Sequence, residues 1–294
     1  MSRNAAGGTG QTLSSMMDSA YLEVIPTPTI ADRLVHLEAG SRVGISCSPA
    51  AGIGPTLDTV DRLRAQREHH PLEPVPHIAA RVIRDRGHLR EIMARLEEAE
   101  VKSVFVAGGD SPRPAGEYHS ALDLLRDMSE IGHRFEDIGV AAYPEGHPLL
   151  DNAELLRHLR EKQVFATYLV TQMCFDPNLI LSWLREIRGA GVNLKVWLGL
   201  PGVMEIPKLI ALSLKIGVGQ SLRVLKKQKG LVRKLISGRT YQPDDLLEGL
   251  WFGLGDTELG VPGFHLFSFN NVDATEQWRT DTANKLKSTE HNVL

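Results

Sequence analysis

Cysteine is almost missing from this chain: Cys47 and Cys174 are the only two in 294 residues, and neither lies in a C-x-x-C pair or a Cys/His ligand spacing. Neither a disulfide framework nor a structural zinc site is indicated, and a reducing, cytosolic setting fits. An excess of one charge is also missing, since 33 basic and 36 acidic residues leave a formal net charge of -3. That balance gives no electrostatic footprint for nucleic acid or an anionic membrane. No segment reaches the roughly 18 uninterrupted apolar residues of a membrane span. Residues 1–19, rich in Gly, Ser, Ala and Thr, lack the apolar centre of an export signal and read as a flexible N-terminal arm. No Pro/Ser/Gly tract divides the remainder, so residues 20–294 read as a single domain.

What is present is enough apolar material for a full core, 42% of the residues. It falls in a repeating pattern of a short β-branched or apolar run, a turn and an amphipathic stretch. The runs are 21–25, 42–47, 75–80, 103–107, 138–142, 167–171, 195–200 and 264–269. Helical periodicity fills 86–100, 120–131, 152–162 and 177–190; in the first of these, Leu89, Ile92, Met93 and Leu96 share one face. Eight such strands predict a (β/α)8 TIM barrel, although a doubly wound open sheet produces the same local alternation. The rhythm breaks over 206–254, where three helical patterns and the basic run Lys226, Lys227, Lys229, Arg233 and Lys234 precede the last strand. This stretch reads as the seventh barrel helix plus an inserted helical pair, and its basic run as a solvated face, more commonly than as a holder of phosphates or of a polyglutamate tail.

In a parallel barrel the chemistry collects at the carboxyl ends of the strands, and polar residues recur there. Glu23 interrupts the first run; Ser46 and Ser48 follow the second; His77 lies in the third. Asp110 follows the fourth in Ala-Gly-Gly-Asp, Tyr143, Glu145 and His147 follow the fifth, and Gln172 ends the sixth. Burial raises a carboxyl pKa, which would make Glu23 a general acid poised near neutrality. Each has a plainer reading as well: Glu23 facing outward to a basic partner, Asp110 capping a turn, His77 bonded to a core carbonyl, Gln172 structural. The Gly108-Gly109 pair lets a backbone approach a ligand, but no G-x-G-x-x-G or Walker pattern accompanies it.

Gly139-Val-Ala-Ala-Tyr-Pro-Glu-Gly-His-Pro148 and Val170-Thr-Gln-Met-Cys-Phe-Asp176 closely resemble the fifth- and sixth-strand segments of methylenetetrahydrofolate reductases. The resemblance extends through Pro76-His77, Gly109-Asp110, Leu159-Arg-Glu-Lys162 and Gly263-Phe-His-Leu-Phe-Ser-Phe269, and is weakest over 206–254. It implies a (β/α)8 barrel that reduces methylenetetrahydrofolate to methyltetrahydrofolate with NADH or NADPH. It also implies Glu23 as the proton donor, Asp110 as the carboxylate at the pterin, and Gln172 and Phe175 as folate contacts. Ser48, His77, Gly109, Tyr143, His147 and Lys162 fall at positions resembling cofactor contacts.

The flavin is where the resemblance fails. Flavin-dependent members carry an arginine before the Gly-Asp turn, where this chain has Gly108. The acid of their fifth helix falls on Leu155, and the approach to the sixth strand is shortened to Gln163-Val-Phe-Ala-Thr167. Losing a diphosphate-pairing arginine removes several charge-assisted hydrogen bonds, with Arg81 or Arg113 as the available replacements. The expectation is a branch without tightly bound FAD, in which nicotinamide gives hydride straight to folate. The alternatives are the same reaction through bound FAD by a ping-pong route, and a non-catalytic folate-binding barrel. The expected partners are folate and a nicotinamide dinucleotide, with a homo-oligomer possible and no nucleic acid or membrane.

Overall fold

A computed structural model describes residues 12–215 and 240–291. The chain runs α1 (Leu13–Asp18), β1 (Tyr21–Val24), α2 (Ile30–Arg33), β2 (Arg42–Ile45), α3 (Gly54–Ala65), β3 (Glu73–Ala79), α4 (Arg86–Glu98), β4 (Ser103–Ala107) and α5 (Ala121–Ile131). It continues with β5 (Asp137–Ala142), α6 (Asn152–Lys162), β6 (Tyr168–Thr171), α7 (Pro177–Gly189), β7 (Lys195–Pro201), β8 (Met204–Glu205) and α8 (Ile206–Lys215). After the undescribed stretch come β9 (Thr240–Tyr241), α9 (Asp244–Leu254), β10 (Gly263–Phe267) and α10 (Val272–His291). Strands β1 to β7 and β10 are all parallel and close on themselves, because β1 pairs with both β2 and β10. The open-sheet alternative is thereby removed.

The two faces of each strand sort by alternation, as a closed parallel sheet requires. Leu22, Val43, Ile78, Val104, Val140, Leu169, Val196 and Leu198 join the large core shared with the helices. Tyr21, Val75, Phe105, Tyr168, Val170 and Trp197 form a separate cluster inside the barrel. Gly139 on β5 makes room for one of these rings: a Cβ there would lie 2.3 Å from the Tyr168 ring. Near the start of the strands, the Arg42 guanidinium lies 5.0–5.5 Å from the ring centroids of Tyr21, Tyr168 and Trp197. The aromatic faces stabilise its charge.

Local chemistry sets where the helices begin. Ser120 with Asp123, and Asp151 with Glu154, form reciprocal capping boxes that open α5 and α6. Asp85 caps α4, and Asp176 caps α7 just ahead of Pro177. The sequence-based helices therefore start within a residue of the observed ones.

Two expectations need correcting. Part of the expected flexible arm is helix α1, whose Leu13, Met16 and Met17 are buried. Their i, i+3, i+4 spacing puts them on one face, which packs on α10 through bonds from Ser14 Oγ to Glu290 (2.6 Å) and Arg279 Nη1 to Met17 O (3.1 Å). Residues 1–11 of that arm lie outside the described residues. The 206–254 insertion contains α8 and α9, and its strand β9 pairs with β8, just ahead of the insertion, in an unanticipated two-stranded antiparallel ribbon. The Lys226–Lys234 basic run lies outside the described residues.

Candidate active site

Inward-facing positions on β1, β3 and β10 bring three titratable groups together. Glu23 Oε2 lies 2.7 Å from His265 Nε2, and the Glu23 side chain is 17% exposed against 1% for His265. His77 lies beside them: a Cβ on Gly44 of β2 would sit 3.3 Å from both His77 Nε2 and His265 Cε1. Glycine at 44 leaves the space in which the two imidazoles flank the carboxyl. Phe105 packs on His77 with ring centroids 4.6 Å apart, and Tyr21 and Phe267 meet His265 edge-on at 4.7 and 4.8 Å. The Ser268 hydroxyl donates to the Glu23 carbonyl at 2.6 Å and fixes the backbone at the end of β1.

The electrostatics differ from the sequence-based expectation of a raised Glu23. Burial does push this carboxyl up and is the largest single influence; the charge of His77 and the hydrogen bond and charge of His265 together outweigh it, so the net direction is down. His77 is itself pushed down to about 4, chiefly by burial. Glu23 is therefore an ionised, hydrogen-bonded carboxylate near neutrality, next to a neutral His77. In the sequence His265 stands out only as part of the Gly263–Phe269 motif. The available signal was its position two residues from both Gly263 and Phe267, on the inward face of the closing strand.

A second group forms at the rim above β4 and β5. Tyr143 and His147 meet edge-on with centroids 5.0 Å apart, and the charge of Asp110 reaches both. Burial first, and Asp110 second, push the Tyr143 phenol up to about 12. Asp110 is exposed and follows Gly109, whose φ of +88° and 3.1 Å approach of a would-be Cβ to Ala79 Cβ exclude a larger residue. Ser48, after β2, bridges back to Gly52. Gln172, just past β6, accepts the Met173 N–H at 2.9 Å through its own Oε1.

All eight strands point the same way, so Glu23, Asp110 and Gln172 share one half of the barrel. Phe175, expected at the folate, is 1% exposed and packs with Met204, Ile206, Leu209 and Tyr241. Its ring meets that of Tyr241 edge-on, with centroids 6.0 Å apart.

Lys162 is drawn inward, with Nζ donating to Ala141 O at 3.0 Å, and burial pushes its ammonium down to about 8. Its folded pKa lies below the ordinary 10.5, so the charged form is disfavoured on folding, and the associated stability is lost as pH falls from 10.5 through 8. Lys162→Met should therefore raise the unfolding free energy at pH 7 by about 1–2 kcal/mol after the lost bond to Ala141 is counted. Urea unfolding checks this, and a less stable variant would contradict it.

Among the described residues no group of three or more His, Cys, Asp or Glu is placed to hold a metal ion, and no helix is long and apolar enough to cross a membrane. The family profile described as "Methylenetetrahydrofolate reductase" matches residues 25–217. The chain is 31% identical over 131 residues to Methylenetetrahydrofolate reductase 2 of Saccharomyces cerevisiae, covering 40% of this chain and 21% of that protein. It is 28% identical over 165 residues to the 5,10-methylenetetrahydrofolate reductase of Pectobacterium carotovorum, covering 55% and 53%, and 26% identical to that of Escherichia coli, covering 55% and 54%. The match thus spans about half the length of the bacterial relatives and a fifth of the yeast one. A solved Clostridium thermocellum protein, described as binding two copies of 5-methyl-5,6,7,8-tetrahydrofolic acid, superimposes with a TM-score of 0.65 over 90% of this chain and 94% of its own, at 13% identity. At that identity the likeness is one of fold.

Proposed function

The chain belongs to the methylenetetrahydrofolate reductase family, and from that premise we propose that it reduces 5,10-methylenetetrahydrofolate to 5-methyltetrahydrofolate with hydride taken directly from NADH or NADPH. The observation that carries this reading is the Glu23–His265 bond of 2.7 Å inside the barrel, flanked by His77 and below the rim that carries Asp110 and Gln172.

Hydride reaches the bridging carbon only after the five-membered ring opens, which needs a proton at N10 and leaves positive charge on an iminium at N5. Glu23 delivers that proton. The carboxyl is ionised in the free protein, so it takes up its proton as bound folate displaces water from the barrel mouth and burial outweighs the hold of His265. His265 holds the carboxyl in one orientation throughout. Asp110 bonds the pterin amide and amino nitrogens and stabilises the cation, and Gln172 exchanges its bond to Met173 for one to folate. Hydride addition then completes the methyl group, so each turnover consumes one hydride and one proton, and Glu23 returns to the carboxylate.

Two features weigh against a tightly held flavin diphosphate: Gly108 supplies no side chain, and the guanidinium of Arg81 is already bonded to Ser111 O, Pro112 O and His119 O, which leaves exposed Arg113 as the remaining replacement. The space beside Ser48, His77, Tyr143, His147 and Lys162 is assigned to nicotinamide, which supplies the hydride when bound. The purified protein is expected to show no flavin absorbance, to oxidise NADH or NADPH when methylenetetrahydrofolate is added, and to give intersecting initial-rate lines. A stoichiometric yellow chromophore with parallel lines would replace this reading with the ping-pong one, and absence of turnover would leave a folate-binding barrel.

A further inference from the structure

We infer that Arg81 is a positioning residue for Asp110, locking the segment 108–119 in which that carboxylate is carried. The inference rests on the reading of Asp110 as a folate ligand. Arg81 stands just past β3, in the turn Ala80–Val82. Its Nε donates to Ser111 O at 2.7 Å, Nη2 to Pro112 O at 3.0 Å and Nη1 to His119 O at 3.4 Å. Its backbone N–H donates to Gly108 O at 3.0 Å, and its carbonyl accepts the Ala115 N–H at 2.9 Å. One residue thus makes five bonds to one segment, beginning two residues before Asp110 and resuming at the residue after it.

The neighbouring contacts tighten the same strap. The Glu117 N–H donates to Arg84 O at 3.1 Å, and Gly116 lies so close that a Cβ there would fall 1.5 Å from the same oxygen. Gly109 is pressed onto Ala79 on the other side. Both peptide neighbours of Asp110 are therefore held by the end of β3 while its carboxylate stays exposed. Only a guanidinium presents donors in a planar fork able to reach three carbonyls at once; an ammonium is a single point. Bonds from a charged donor are the stronger kind, so they suit a segment that must keep its shape before the ligand arrives.

The test compares Arg81→Met and Arg81→Lys, each alone and in an Asp110→Asn background. The readouts are the Kd of 5-methyltetrahydrofolate by fluorescence titration, KM for NADH, and hydrogen exchange over 108–119. Arg81→Met is expected to weaken folate about tenfold or more, to leave the KM for NADH unchanged and to speed exchange over 108–119; Arg81→Lys should recover part of the loss. In the Asp110→Asn background Arg81→Met should cost nothing further, because it acts through that carboxylate. Wild-type folate affinity in Arg81→Met, or an equal loss with and without Asp110, overturns the inference. Should Arg81→Met fail to fold, Arg81→Lys carries the same comparison. If Asp110→Asn alone leaves folate affinity intact, the reading of Asp110 fails and this inference falls with it. A weakened Asp110→Asn beside a silent Arg81→Met overturns the inference alone.

Discussion

Glu23→Gln is expected to lower turnover by a factor of roughly 10² or more while leaving folate affinity within about threefold. The reason is local. Glutamine has the volume of glutamate and keeps an oxygen for His265 Nε2, now 2.7 Å from Oε2, so the three-residue cluster retains its shape. The amide has no proton to give to N10, and without ring opening there is no iminium to accept hydride. Steady-state rates and a 5-methyltetrahydrofolate titration on the same preparation separate the two effects. Near-normal turnover would move the acid elsewhere, and a parallel loss of binding would make Glu23 a ligand before it is an acid.

The second large effect concerns stability at low pH. His77 is pushed from 6.5 to about 4 in the folded protein. Between those values the unfolded chain takes up a proton that the folded chain refuses, so stability falls as pH drops from about 6.5 towards 4 and is unaffected by this group above that window. The contribution reaches about 2–3 kcal/mol near pH 4.5. Glu23, whose folded pKa is lowered, adds a loss in the same direction only below its ordinary 4.5. Urea unfolding at pH 7 and pH 4.5 should show a smaller difference for His77→Asn than for the wild type. An identical difference in the two proteins would mean that His77 is not buried neutral.

How far the sequence reached follows from which interactions are local. All eight barrel strands were legible to within about two residues, because alternation and capping pairs such as Ser120 with Asp123 act over three or four positions. Closure was not: β1 meets β10 across more than two hundred residues, and only the summed register and tilt of eight strands decides whether they meet. The ribbon of Met204–Glu205 with Thr240–Tyr241 is too short for any period to show. Leu13, Met16 and Met17 did carry a helical spacing, hidden behind a Gly- and Ser-rich start.

The candidate site divides in the same way. Glu23, Asp110 and Gln172 were visible as polar residues ending apolar runs. The direction of the Glu23 pKa was not, since it depends on His77 and His265, 54 and 242 residues away in sequence. The cluster in which Phe175 is buried with Tyr241 depends on residues far along the chain, and nothing local announces it. In sequence Arg81 reads as a substitute for the missing diphosphate arginine at Gly108; the three carbonyls that occupy its guanidinium lie 30 to 38 residues away and are invisible there.

Isotope tracing tests direct hydride transfer to folate most closely. NADH deuterated at the reactive C4 position would be incubated with methylenetetrahydrofolate and the protein, and the product methyl group examined by mass spectrometry. One deuterium per methyl group is expected, undiminished by solvent, since no exchangeable carrier intervenes. Deuterium washed out to solvent, or a methyl group formed only after flavin is added, would contradict it.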